Sequence, residues 1–491
     1  MLAMATFVGF VVLVIGLIHF YLWKRLVRDT TRPGRWRRVG AVAALLLALL
    51  VPATLAGTRN GWYWLAWPGY LWLALMFYLL VLLLVLEVPT AVVRLVMRRR
   101  ARSATAEGPE PEPALVGTGN PPAAPASTGD AADGQPAADA AGARFTGDRP
   151  PAADARGARP VDHADPGPPA ADTRGARPVD HADPGPPAAD TRGARSVDHA
   201  DPGPPAGVEA GHDPSRRLLL ARGTAIFAGL TAAGITGYGV RTAMGPPRLD
   251  RVRIPLAKLP RSMDGLRIAT VSDIHLGPLR GRAHTERIVA MINRLDADLV
   301  AVVGDLVDGT VAELGEAAAP LRDLRSRYGS FFVTGNHEYY SGVEEWVREV
   351  DRLGLRVLQN ERQEIRARGG VLDLAGVNDV TAAGTGLAAP ADYAAALGDR
   401  DPSRPVVLLA HQPVAAHEAA TFGVDLQLSG HTHGGQMVPF NLAVKLQQPV
   451  VSGLGEVDGT KVYVTNGAGF WGPPVRVGAP PQVTLVELRA P

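Results

Sequence analysis

Five short polar clusters in the second half of the chain carry the residue types that bind metal ions. They are Asp273-Ile274-His275, Gly304-Asp305-Leu306-Val307-Asp308-Gly309, Gly335-Asn336-His337-Glu338, His411, and Gly430-His431-Thr432-His433-Gly434-Gly435-Gln436. Carboxylate, imidazole and amide oxygen suit Mn, Fe or Zn. An aspartate and a histidine two apart on an extended segment face the same side and can reach one ion together. An aspartate has two oxygens and can bridge two ions. Two ions about 3.5–4 Å apart can hold both the attacking and the leaving oxygen of a phosphoryl displacement, and water held there ionises near neutral pH. The glycines let backbone approach the ions through tight turns. The chain has no cysteine, which removes thiolate ligands and disulfides and leaves any metal to His, Asp, Glu and Asn.

Each cluster follows a short apolar run. The pattern predicts strands over 266–271, 299–303, 331–334, 371–375, 406–410, 426–428, 461–465 and 483–488. Apolar residues at helical spacing predict helices over 284–295, 313–327 and 343–353. Strands alternating with helices make an α/β domain from about 249 to 491. In open α/β sheets ligands bind beyond the carboxyl ends of strands. The five clusters should therefore converge on one rim.

The ordered pattern D-x-H, G-D-x-x-D-G, G-N-H-E, H and G-H-T-H resembles the calcineurin-like metallophosphoesterase superfamily, from residue 266 onward. Gly434-Gly435-Gln436, Asn466-Gly467, Pro474-Val475-Arg476 and Pro480-Pro481 are similar to its bacterial membrane-associated branch. The resemblance implies a calcineurin-like β-sandwich flanked by helices in four layers, αββα, and hydrolysis of a phosphomonoester or diester at two divalent ions. It implies that Asp273, His275 and His433 hold one ion, that Asn336, His411 and His431 hold the other, and that Asp305 bridges them. His337 would contact the phosphate and protonate the leaving oxygen. Asp308, Glu338 and Asp379 either orient ligand histidines or cap turns. Arg476 is expected to hold a loop, and His284 and His417 to lie on the surface. Asp308 is followed directly by Gly309, without the arginine of the protein phosphatase branch, which argues against a phosphoprotein substrate. The competing reading is a non-catalytic membrane-anchored binding or sensor protein. All seven ligand positions are filled, which argues against it.

The first half of the chain must position this domain at a membrane. Apolar runs over 2–22, 39–57 and 62–88 each approach or exceed the length that crosses a bilayer, so residues 1–100 read as three spans. Among the runs His19 is the polar residue that draws notice. Residues 101–215 are rich in Ala, Pro, Gly and Asp and repeat an 18-residue unit. Such a composition predicts a disordered linker. A fourth run, within 216–245, follows Ser215-Arg216-Arg217, which resembles a twin-arginine export signal. Basic residues crowd 24–38, 94–102 and 216–217, so these flanks are expected in the cytoplasm and the α/β domain outside it, on a multi-pass protein of the cell membrane. The anchoring raises a lipid-linked or envelope phosphoester as substrate. The apolar stretch Met437-Val438-Pro439-Phe440 beside the paired histidines is read as ordinary packing. A formal net charge of +2 gives no case for nucleic acid.

Overall fold

The computed structural model describes residues 2–106 and 214–491. The linker and its repeats fall almost entirely outside them. Four helices are long and apolar enough to cross a membrane: α1 (Leu2–Trp23), α2 (Arg35–Arg59), α3 (Ala66–Ala106) and α4 (Pro214–Met244). α2, α3 and α4 run past the apolar segments visible in the sequence into flanking basic residues, whereas α1 ends at Trp23 and passes into a π-helical turn, Lys24–Arg28. Polar ties join α1 and its continuation to α3. Trp72 Nε1 donates to His19 Nε2 at 3.1 Å. Glu87, midway along α3, accepts from Tyr21 Oη at 2.8 Å and from Arg25. Glu87 corrects the expectation that His19 is the notable polar group of the spans. Its charge is tolerated because an arginine on a neighbouring helix neutralises it.

The α/β domain holds two six-stranded sheets. The first contains β1 (Arg248–Pro255), β2 (Leu266–Val271), β3 (Leu299–Val303), β4 (Ser330–Val333), β5 (Arg356–Val357) and β12 (Gln482–Arg489), ordered β1-β12-β2-β3-β4-β5. The second contains β6 (Glu361–Ala367), β7 (Gly370–Gly376), β8 (Val406–Leu409), β9 (Leu426–Ser429), β10 (Gly453–Val457) and β11 (Thr460–Val464), ordered β10-β11-β9-β8-β7-β6. Strands β2 to β5 run parallel to one another, as do β7, β8, β9 and β11.

Period-two alternation builds the layers. Leu299, Ala301 and Val303 of β3 turn inward, where they share a core with Val407, Leu409 and Leu428 of the facing sheet. Val300 and Val302 turn outward, against Ile288 and Ile292 of α5 (Arg282–Asn293) and Trp346 and Val350 of α8 (Val343–Arg352). On the far side Ala375, Val406 and Leu408 pack on Tyr393, Leu397 and Ala419. The result is the expected αββα sandwich. The helix expected over 313–327 is shorter. It runs as α6 (Val311–Ala318) and then tightens into a 3-10 turn, Ala319–Asp323, where Pro320 lacks a backbone N–H to continue the α pattern.

Trp346 shows how packing reaches the site loops. Its ring is fully buried and its Nε1 donates to Gly309 O at 2.9 Å. We expect Trp346→Ala to remove about 3–5 kcal/mol of stability by leaving a cavity. Thermal unfolding of the detergent-solubilised chain measures this, and an unchanged midpoint would contradict the packing described.

Candidate metal centre

The five clusters lie at the carboxyl ends of β2, β3, β4, β8 and β9. β2, β3 and β4 are neighbours in one sheet and β8 and β9 in the other, so the loops meet on one rim. The backbone there is bent into an unusual state. Asp273, His275, Asp305, His431 and His433 have φ of +50°, +47°, +52°, +69° and +52°. For residues with a side chain this left-handed region costs on the order of 1–3 kcal/mol each and persists only where surroundings impose it. Here Asp273 N donates to Gly304 O at 3.0 Å and His275 N to Asp305 O at 3.2 Å. Gly335 leaves no room for a side chain, since an added Cβ would collide with Asp305 Oδ1.

Two groups of side chains converge. In one, His275 Nε2 lies 3.0 Å from His433 Nε2, and Asp273 Oδ1 lies 3.3 Å from His433 Nε2. In the other, Asp305, His411 and His431 come together, and Asn336 Oδ1 lies 3.0 Å from His431 Nδ1. Asp305 stands between the groups. Its Oδ2 is 3.8 Å from His275 Nε2 and 3.1 Å from His411 Nε2.

This donor set fits divalent ions. His411 Nδ1 donates to Val303 O at 2.8 Å, which turns the buried Nε2 into the cluster beside Asp305. Burial opposes the ring's charge, but Asp305 holds its pKa well above the ordinary value, so a metal would take the place of that proton. His275 is oriented in the same way by Asp308, whose Oδ1 accepts from Nδ1 at 2.8 Å. Burial opposes the charge of Asp305, yet His411, His337 and His275 hold its pKa well below the usual carboxylate range. Burial, reinforced by His411, lowers the pKa of His431. Burial, reinforced by Arg476 and His275, holds that of His433 well below the usual value. Neutral imidazole is the form that ligates metal.

His337 lies beside this cluster. Its backbone N–H donates to Asp305 Oδ1 at 2.9 Å, and its Nδ1 is 2.7 Å from Asp308 Oδ1. Burial opposes protonation, but Asp305, Asp308 and Glu338 outweigh it and push the pKa up to about 9. With Nδ1 engaged, Nε2 is the nitrogen left to face a substrate. Two exposed aromatics flank it, Tyr340 and Trp471, with ring centroids at 5.6 and 6.3 Å. Sequence reasoning passes over both. The available signal was position alone: Tyr340 falls three residues after His337 in the helix Asn336–Ser341, and Trp471 lies in the loop before Arg476.

The three carboxylates left open in the sequence take different places. Asp308 orients His275 and His337. Glu338 clamps two loops by accepting from the backbone of Asp305, Leu306 and Gly335 at 3.0, 2.8 and 2.6 Å. Asp379 caps a turn at Thr381 and accepts from Gln412. Arg476 is fully buried and donates to the carbonyls of His433, Asn466, Gly469 and Ala479. It holds the loop, as expected. His417 is exposed and pairs with Asp458. His284 is not on the surface. It is buried against Arg280, which also stacks on Phe470 and donates to Ala243 O at the end of α4.

The profile of the calcineurin-like phosphoesterase family matches residues 266–435. A transmembrane protein with a metallophosphoesterase domain from Danio rerio is 40% identical over 276 residues, covering 54% of this chain and 62% of that protein. The chain thus spans less than two thirds of that relative's length. A metallophosphoesterase of Helicobacter pylori is 37% identical, covering 56% of this chain and 73% of the relative. One of Aquifex aeolicus is 34% identical, covering 49% and 92%. The chain belongs to the calcineurin-like metallophosphoesterases.

Asp308 has a testable place in this geometry. We expect Asp308→Ala to lower metal affinity or turnover roughly 10–100-fold, as loss of a carboxylate behind a ligand histidine does. Metal content by elemental analysis, with hydrolysis of an aryl phosphate, measures both. A variant equal to the parent in both would remove Asp308 from the site.

Proposed function

We propose that the chain hydrolyses a phosphoester at two divalent ions. Asp273, His275 and His433 would hold one, Asn336, His411 and His431 the other, with Asp305 shared between them. The observation that carries this reading is the position of Asp305, with one carboxylate within 4 Å of imidazole nitrogens from both groups. Bound there, Mn, Fe or Zn would act as Lewis acids on phosphoryl oxygens and bring water to ionise near neutral pH. The protein's own part is positioning. The strand ends fix the donors, Glu338 fixes the loops that carry Asp305 and Asn336, and Asp308 turns His337 so that Nε2 meets the substrate. That nitrogen contacts the phosphate and delivers a proton to the leaving oxygen. The substrate is a monoester or diester, and the membrane anchoring favours a lipid-linked or envelope compound.

Two variants separate these roles in the full chain. Asp305→Asn should abolish hydrolysis of aryl phosphates and lower bound metal, and full turnover with both ions retained would refute the shared ligand. His337→Ala should slow turnover with metal content intact, and should hurt an alkyl ester more than a nitrophenyl ester, whose leaving group needs less protonation. Equal losses on the two esters would count against proton delivery.

The same reading places the domain outside the cytoplasm. Tyr63, just before α3, donates to Glu313 of the domain at 2.7 Å, and α4 ends at Met244, four residues before β1. The α2–α3 turn and the domain therefore share one side of the membrane. The basic flanks 24–38, 94–102 and 216–217 lie at the opposite helix ends, which the positive-inside rule assigns to the cytoplasm. Arg216 and Arg217 serve as a twin-arginine signal in this proposal. Protease added to intact spheroplasts should digest the domain in the parent chain. Changing both arginines to lysine keeps the charge and should leave the domain protected. A parent domain already protected overturns the orientation, whereas an accessible domain in the double variant overturns the export route.

A further inference from the structure

The segment after the paired histidines packs on one side only. Val438, Phe440, Leu442 and Leu446 are 41%, 49%, 65% and 91% exposed. They ride on a turn and a short helix, Asn441–Val444. Meanwhile the inner side of this segment is docked. Met437 and Val477 join a cluster with residues of α1, α3 and α4, including the buried Tyr78, Leu79 and Ala232. The Phe440 ring meets Phe77 of α3 edge-on, with centroids 6.4 Å apart. Phe77 lies eleven residues into α3, about 16 Å along its axis at 1.5 Å per residue. It is well inside the apolar stretch Tyr63–Met97. A side chain that touches Phe77 from outside the helix therefore sits at hydrocarbon depth.

We infer that residues 437–446 form a lip sunk in the leaflet on the domain's side, and that the metal centre takes an amphiphilic phosphoester whose apolar part stays in that leaflet. The second half of this inference rests on the hydrolase reading above. The occupant of the exposed face is the bilayer, because Phe440 packs on Phe77 within the apolar stretch of α3, where Leu84, Val85 and Val88 are likewise exposed. The lip also connects to the chemistry. Val438 N donates to Val477 O at 3.1 Å, and Val477 N to Gln436 O at 2.9 Å, joining lip and loop 471–477. Gln436 Nε2 donates to Trp471 O at 2.9 Å. Trp471 is exposed and stands 6.3 Å from the His337 ring. Tryptophan is at home at headgroup level. A headgroup phosphate at that level reaches His337 while its chains run down beside Phe440, Leu442 and Leu446. Hydrolysis adds one water across the P–O bond, releasing phosphate or a phosphomonoester and an alcohol, with the alcohol's proton supplied at the leaving oxygen. It needs no other reactant.

The chain has no cysteine, so one introduced thiol is labelled alone. Leu446→Cys in the full chain is labelled with an environment-sensitive fluorophore and reconstituted in phosphatidylcholine–phosphatidylglycerol vesicles. We expect blue-shifted emission and quenching by doxyl groups on lipid tails, absent from a label at Asp399→Cys, whose native side chain is 83% exposed. Emission as in water at 446 would overturn the lip. In the second arm, Phe440, Leu442 and Leu446 are changed together to serine. Hydrolysis of dioleoyl phosphatidate or dioleoyl phosphatidylglycerol in vesicles should fall at least tenfold, with nitrophenyl phosphate esters turned over as before. Equal losses on both, or a parent chain that cleaves the nitrophenyl esters and neither lipid, would overturn the substrate class. A parent inactive on every ester would overturn the hydrolase reading instead, and the fluorescence would still decide the lip.

Discussion

A carboxylate buried between two sets of imidazoles needs positive charge, and much of the domain is arranged around that need. Asp305 is 2% exposed, and its oxygens face histidines from both sheets. An isolated buried carboxylate would neutralise itself by taking a proton. Here surrounding histidines keep it ionised. The same loops are held in a left-handed backbone state that free chains avoid. Glu338 stabilises that state from below by taking three backbone N–H groups. The site is thus strained and charged, and its charge is what divalent metal would complement.

The parts of the fold that are legible in the sequence are those where burial imposes a pattern. The eight strands that apolar runs predict are the interior strands of the two sheets. The four that escape, β1, β5, β6 and β10, are the four edges. Edge strands need little apolar surface and are often charged to discourage pairing with other chains. β6 reads Glu-Arg-Gln-Glu-Ile-Arg-Ala, and in β1 the apolar alternation is confined to Val252 and Ile254 between arginines, too short to stand out. β5 has two residues, too few for any pattern.

For the site the legible part is residue type and order. All eight flagged residues come from strand ends that meet at the rim. Hidden from the sequence were the relations between distant positions. Nothing in a linear reading pairs Arg25 with Glu87 or ties Arg280 to the carbonyl of Ala243, because each pairing is made by tertiary packing. Likewise, Asp308, Glu338 and Asp379 are equivalent carboxylates on paper. Only their partners distinguish an orienter of histidines, a backbone clamp and a turn cap.

Arg476 has a double attachment. Its side chain grips the loop of His433, and its backbone N–H donates to the carbonyl of Gly239 in α4 at 3.0 Å. An added Cβ on Gly239 would collide with Val475, so the helix backbone lies directly against the loop. Helix α4 is therefore part of the domain's wall. A chain cut between α4 and β1 would turn Met437, Val475 and Val477 toward water. Such a fragment would be a wounded half with a sticky face. Shedding the domain from its membrane would sacrifice the support behind one of its own histidines.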